Sequence, residues 1–235
     1  TITALGGYGS SVITAVTAQN TQTISAIHPI PQNIIKEQLS LVLSDMNVNI
    51  IKTGMLGNLD TIITIDQVLN NYPDIPLIID PVIHATHGNL LLSKDGVSAL
   101  LTLLCPRALL VTPNIPEAEI LTNTTIKTQA DMVDAAHLLL ESGIKAVLIK
   151  GGHLQAKSLT DVYVTKSDIE IFTHDHIDSK HTHGTGCTLA SAIATYIAQG
   201  NSVKESIRAA QDYVHHAIEN APALGLGNGP LNHSV

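Results

Sequence analysis

The densest run of chemically capable residues is His181-Thr-His-Gly-Thr-Gly-Cys187, set directly before an apolar helical stretch, Thr188–Gln199. Gly184 and Gly186 permit a tight turn that points successive N–H groups into one space. The start of the following helix adds partial positive charge, so the whole is suited to an anion. In a phosphoryl transfer such a hole stabilises charge on the moving group. Thiolates are favoured beside helix N-termini, so Cys187 can accept the proton of an attacking hydroxyl. The plainer reading is a loop of glycines followed by a small packing residue. The run is no P-loop, because Lys and Ser/Thr do not follow the second glycine, and it does not open a first βαβ unit as a dinucleotide fingerprint would.

A second cluster is Thr112-Pro-Asn-Ile-Pro-Glu-Ala-Glu119. Asn114 and Glu117, three residues apart at a strand end, can face one pocket and hold Mg2+ through water. The same spacing equally makes Asn114 an N-cap and Glu117 its capping-box partner. Asp80, before Pro81, is a metal-side carboxylate or a turn former. Lys150-Gly-Gly-His153 ends another strand, and Lys150 either reaches a nucleotide phosphate or is a solvated loop lysine. Among 12 histidines, His174-x-His176 and His181-x-His183 have the spacing of metal-ligand pairs. No cysteine or carboxylate completes a zinc set, so they read as surface polar residues, with His181 and His183 flanking the anion hole.

These residues need a scaffold that brings strand ends together. Strand patterns fall at Ser11–Thr17, Ile24–His28, Asn49–Lys52, Leu77–Asp80, Ala108–Thr112 and Ala146–Lys150. Helical spacing marks Pro31–Met46, Asp60–Asn71, Ser93–Leu104 with Ser93 as N-cap, a short helix through Glu119, Gln129–Ser142 and Val203–Asn220. Asp161–Thr165 and Glu170–Phe172 read as two antiparallel strands. Strands separated by helices imply an α/β fold: one domain over 1–235, with a doubly wound, mostly parallel sheet and helices on both faces. Ligands of such sheets lie at the carboxyl ends of strands. Gln19-Asn20, Gly54-Met55, Asp80-Pro81, Asn114 with Glu117, and Lys150-Gly-Gly152 all fall there. Thr1–Gly7 reads as the tail of a helix stopped at Gly6 and Gly7, so a preceding segment is expected.

Composition narrows the class. Of 235 residues, 44% are hydrophobic and 14% charged, enough for a sizeable core, which must be aliphatic because there is no Trp and one Phe. A formal charge of −8 without a basic cluster argues against nucleic acid. No apolar run reaches the ~20 residues of a membrane span. Two cysteines, Cys105 and Cys187, form no disulfide framework, and a reducing, cytoplasmic setting is expected.

Taken in order, the motifs resemble the hydroxymethylpyrimidine/phosphomethylpyrimidine kinases of thiamine biosynthesis, members of the ribokinase-like superfamily. The resemblance runs nearly end to end, through Ala4–Gly9, Val12–Ala15, Ala18–Thr21, Ile51–Met55, Asp80–Val82, Thr112–Glu119, Lys150–His153, Thr182–Cys187 and Gly229–His233. It implies ATP-dependent phosphorylation of 4-amino-5-hydroxymethyl-2-methylpyrimidine and then of its monophosphate, with Mg2+ as the metal and a homodimer as the assembly. It places Gln19 on the aminopyrimidine, with Met55 and Val82 lining its faces. Cys187 stands as the base, and Gly184, Thr185 and Gly186 as the anion hole. Asn114, Glu117, Lys150 and Thr182 serve ATP and Mg2+, with Asp80 supporting the metal. The family's first strand, its Asp-bearing glycine-rich substrate loop and most of its first helix would precede Thr1. His84-Ala-Thr-His-Gly88 departs from the family's usual Ala-Lys-Ser-Gly. A pyridoxal kinase, whose substrate is also a small aromatic ring with a hydroxymethyl group, is the nearest alternative. A non-catalytic pyrimidine or nucleotide sensor is the alternative of another class.

Overall fold

Leu77-Ile-Ile79 and Ala146-Val-Leu-Ile149 are buried at every position, as strands covered on both faces must be. They lie within the order β1 (Ala15–Gln19), β2 (Ile24–Pro29), α1 (Gln32–Asp45), β3 (Ile51–Thr53), α2 (Leu59–Leu69), β4 (Leu77–Ile79), α3 (Lys94–Ala99), β5 (Ala108–Val111), α4 (Ile115–Thr122), α5 (Gln129–Glu141), β6 (Ala146–Ile149), β7 (Ser158–Thr165), β8 (Ile169–Asp175), α6 (Thr185–Ala198) and α7 (Val203–Glu219). The computed structural model describes residues 1–85, 88, 90–152 and 158–235, with the backbone alone at Ser158. The chain divides into two compact units, Thr1–Lys52 with Ile177–Val235, and Thr53–His176.

The six-stranded sheet has the order β3-β4-β5-β6-β7-β8. It is mixed and flanked by helices: β4–β5 and β5–β6 are parallel, β6–β7 and β7–β8 antiparallel. Its core is aliphatic, with Ile78, Ile79, Leu110, Val111, Val147, Leu148, Val162 and Val164 all at 0% exposure. Each such side chain stabilises the fold by about 1.5–3 kcal/mol. Helix α2 turns Ile62, Ile65, Val68 and Leu69 inward at helical spacing, and its N-cap Asn58 accepts from the Thr61 N–H at 2.9 Å. The helix expected over 93–104 begins as foreseen, with Ser93 accepting from Gly96 N–H. It is α-helical only to Ala99, then widens into a π turn over Leu100–Leu104 and a 3-10 turn over Cys105–Arg107. Pro106 lacks the N–H that would continue an α-helix there. The two antiparallel strands are longer than the sequence pattern indicated, at eight and seven residues.

In the other unit, β1 and β2 form a separate antiparallel pair. The strand expected over 11–17 starts later, at Ala15, because an α1 side chain takes the backbone groups before it. Gln38 accepts from the Ile13 N–H at 3.0 Å and donates to the Ile13 carbonyl at 3.1 Å. The expected helix tail at Thr1–Gly7 is one turn closed by a Schellman pattern, with Gly7 N–H on Ile2 O, Gly6 N–H on Thr3 O and Gly6 at φ +80°. Helices α6 and α7 pack together. Both carry buried alanines, Ala190, Ala192 and Ala194 in α6 and Ala210 and Ala217 in α7, which take little room in the core.

Candidate active site

In the sheet unit, Asp80, Thr112 and Lys150 directly follow β4, β5 and β6 respectively. Adjacent parallel strands bring their carboxyl ends side by side, and here the side chains meet. Asp80 Oδ1 accepts from Lys150 Nζ at 2.9 Å and from Thr112 Oγ1 at 3.2 Å. Asp80 is 2% exposed and Thr112 fully buried, while the Lys150 side chain is 15% exposed, so this is a largely buried ion pair with a hydroxyl supporting it. Lys150 is therefore not the solvated lysine of the plainer reading. Its own N–H donates to Pro113 O at 2.8 Å, which ties the ends of β5 and β6 together.

Asn114 and Glu117 make the capping box in full: Asn114 Oδ1 accepts from Glu117 N–H, and Glu117 Oε2 from Asn114 N–H, both at 2.9 Å. Glu117 does more than cap, since Oε1 accepts from the Ile83 N–H at 3.3 Å and fastens the segment after Asp80. Burial pushes the Glu117 carboxyl above the usual range, opposed by the Lys150 charge and the Asn114 N–H and reinforced by Asp80. Met55, just past β3, and Val82, between Asp80 and Ile83, are half-buried.

Asp161 on β7 was not singled out from the sequence. It is 5% exposed, and its Oδ1 accepts from the Gly151 N–H at 2.9 Å, holding the turn that carries Lys150. A Cβ at Gly151 would run into the Thr160 carbonyl oxygen, so close approach to β7 is what requires glycine there. A lone acid in an alternating strand reads as solvent-facing; its burial was the missing signal. Thr112, read only as part of a motif, was missed likewise. Thr86, His87 and His153 of the sequence motifs lie outside the described residues.

The donors fit Mg2+ in one mode only. Asp80 and Glu117 already accept from protein groups, so they suit a cation that keeps most of its waters and binds phosphate oxygens, as Mg2+ does, rather than a protein cage. Among the described residues, no group of three or more His, Cys, Asp or Glu is arranged to hold a metal. His174 and His181 are half-buried, with a buried Nδ1 lacking a hydrogen-bond partner, while His176 and His183 are exposed as expected.

In the other unit, Gly184 is the N-cap of α6 at φ +87°, a conformation that glycine adopts without strain. Gly186 was expected to share in the turn, but it sits inside the first helical turn; the bend falls on Gly184 alone. Thr185 Oγ1 donates to Thr182 O at 2.7 Å, and Thr185 N–H to the same carbonyl at 3.2 Å, which fixes the loop against the helix. Helices α2, α3, α4, α5 and α7 each have a side chain accepting from the first turn. Helices α1 and α6 have neither such a cap nor an acid in that turn; α1 starts after Pro31, whereas α6 starts at the Gly184 bend, which suits its N–H groups to an outside anion. Cys187 lies in this turn and is exposed; Cys105 is fully buried and its thiol is pushed up to about 12 by desolvation. Gln19 ends β1 and is exposed, and Thr182 is exposed too.

A sequence model described as phosphomethylpyrimidine kinase matches residues 1–232. The chain belongs to the phosphomethylpyrimidine kinase family. It is 40% identical over 227 residues to the hydroxymethylpyrimidine/phosphomethylpyrimidine kinase of Bacillus subtilis, covering 96% of this chain and 84% of that protein. It is 47% identical over 233 residues to a thiamine biosynthesis bifunctional protein of Geobacter sulfurreducens, covering 99% of this chain and 48% of that one. The chain thus spans about half of that bifunctional relative. Among solved structures, the phosphomethylpyrimidine kinase of Clostridium difficile superposes with a TM-score of 0.83 at 36% identity, covering 92% of this chain and 89% of that one. The pyridoxal kinase of Staphylococcus aureus, in complex with AMP-PCP and pyridoxal, superposes at 0.90 with 30% identity, covering 99% and 85%. As a phosphomethylpyrimidine kinase family member, the protein has the ribokinase-like α/β fold and is a phosphotransferase. None of its helices, among the described residues, is long and apolar enough to cross a membrane.

Proposed function

We propose that this chain carries the γ-phosphoryl group of ATP to the hydroxymethyl oxygen of 4-amino-5-hydroxymethyl-2-methylpyrimidine, and then a second one to the monophosphate. The observation that carries the reading is helix α6, whose first turn has no side-chain cap and presents Cys187 beside the Gly184 bend. In the first step the substrate oxygen forms its bond to Pγ while the bond from Pγ to the ADP oxygen breaks, and Cys187 takes the hydroxyl proton. In the second step a phosphate oxygen already ionised at neutral pH attacks, so the demand for a base falls. Gly184, Thr185 and Gly186 form the hole for the moving phosphoryl group: Gly184 and Gly186 offer it backbone N–H groups, and Thr185, whose N–H goes to Thr182 O, fixes the turn between them.

Asn114, Glu117, Lys150 and Thr182 serve the nucleotide, and Asp80 with Glu117 its Mg2+. That ion, when bound, neutralises charge on the phosphate oxygens. Gln19 meets the aminopyrimidine, whose edge offers both donor and acceptor to an amide, and Met55 and Val82 line the ring. A cytoplasmic homodimer accompanies this reading on the strength of the family resemblance.

The superposition on a pyridoxal kinase keeps pyridoxal as a second substrate to be tested. ATP turnover is measured with the pyrimidine alcohol, its monophosphate and pyridoxal in parallel. Turnover of both pyrimidines is the expected result. Pyridoxal alone moves the assignment to vitamin B6 salvage, and ligand binding without turnover of any substrate makes the protein a sensor.

A further inference from the structure

The Gly229-Pro-Leu-Asn-His233 segment has no role in the chemistry described so far, yet it lies against the loop that leads into α6. Gly229 O accepts from the His183 N–H at 3.1 Å, and His183 and Pro230 form a parallel β-bridge. His183 immediately precedes the Gly184 bend. On its other side Gly229, itself buried, meets the His181 imidazole: a Cβ there would collide with His181 Nδ1 and lie 2.5 Å from the Leu224 carbonyl oxygen. The second of these is backbone and cannot swing aside. One glycine therefore sets the position of two residues just before the anion-binding turn.

The segment is anchored well enough to act as a fixed rail. Leu231 is 3% exposed, Asn232 N–H donates to Ala217 O at 3.0 Å, and Tyr213 Oη donates to His233 O at 2.9 Å. Both acceptor and donor residues on the helix side belong to α7, which packs on α6. Upstream, Gly227 N–H donates to Thr21 Oγ1 at 3.1 Å. The loop before α6 is thus referenced to α7 by a route independent of α6 itself.

We infer that Gly229 is a positioning residue for phosphoryl transfer, holding His181 and His183 so that the Gly184 turn presents its N–H groups where the moving phosphoryl group passes. The inference rests on the phosphotransferase reading and extends it to a residue that touches no substrate. A misplacement of about 1 Å in such a site costs about a hundredfold in rate.

The test compares wild type with Gly229→Ala for kcat, for KM of the pyrimidine alcohol and ATP, and for amide hydrogen exchange at His183. The expected result is a kcat lower by about a hundredfold, little change in either KM, and faster exchange at His183 with α7 amides unchanged. Unchanged exchange at His183 overturns the inference, and so does faster exchange with wild-type kcat. Should wild type turn over none of the substrates, the phosphotransferase reading falls, while exchange at His183 still reports whether Gly229 fixes the loop. If Gly229→Ala does not fold, Leu231→Ala loosens the same segment without a collision and is read the same way.

Discussion

Two regions of this protein are suited to phosphate chemistry, and they are built differently. At the strand ends of the sheet unit, buried carboxylates are held in place: Asp80 by Lys150 and Thr112, Asp161 by the Gly151 N–H, and Glu117 by the Asn114 and Ile83 N–H groups. At the start of α6 the working groups are backbone N–H donors and an exposed thiol, shaped by one positive-φ glycine. The first design places charge in a low-dielectric setting, where each partner is needed to offset the desolvation of the other. The second uses dipoles already fixed by the helix, so its side chains contribute little to folding. Substitutions in the first region should therefore disturb stability as well as function, and side-chain changes in the second, Gly184 apart, should disturb function alone.

The largest effect is expected at the ion pair. Lys150→Met leaves Asp80 buried without its cation and should lower unfolding free energy by about 3 kcal/mol, read by urea denaturation. A loss below about 1 kcal/mol would mean the pair behaves like a surface salt bridge and that the contrast between the regions is false. Next comes Cys187→Ala, with kcat lower by about a hundredfold, the size of a lost general base. Its KM for ATP should stay near wild type, and its stability within about 0.5 kcal/mol because the thiol is exposed. An unchanged kcat removes Cys187 from the mechanism.

The smallest effect sharpens the comparison through pH. Burial raises the Glu117 pKa in the folded state, so the folded protein holds that proton more tightly than the unfolded chain. Stability contributed by Glu117 is fully present below the ordinary glutamate pKa and declines as pH rises through the raised value. Denaturation midpoints of wild type and Glu117→Gln, followed upward from acid pH, should move in favour of the glutamine variant. Parallel curves would show that the neighbouring N–H groups and Lys150 cancel the burial.

Much of the candidate site was legible because its residues stand at strand ends, and strand ends are marked by simple punctuation. Asp80-Pro81, Asn114 three residues before Glu117, and Lys150-Gly-Gly152 each announce where a strand stops. The capping box that the spacing of Asn114 and Glu117 offers is formed, and the same carboxylate also fastens Ile83. What escaped was long-range: Asp161 meets the Gly151 N–H ten residues earlier, and Gln38 takes the backbone groups of Ile13 and so delays β1.

Local physics is written in neighbouring residues, and there the sequence by itself determined the outcome. Buried aliphatic runs became strands, helices began at Asn58, Ser93, Asn114, Thr128 and Ser202, and the chain bent at Gly184 ahead of α6. Tertiary structure alone decided which polar groups became partners: Lys150 with Asp80 across 70 positions of sequence, and Gly229 with His183 across the chain between α6 and the last turn. The reason is that a buried charge or N–H must be satisfied by whatever group the fold brings within hydrogen-bond reach, and no spacing along the sequence encodes that distance.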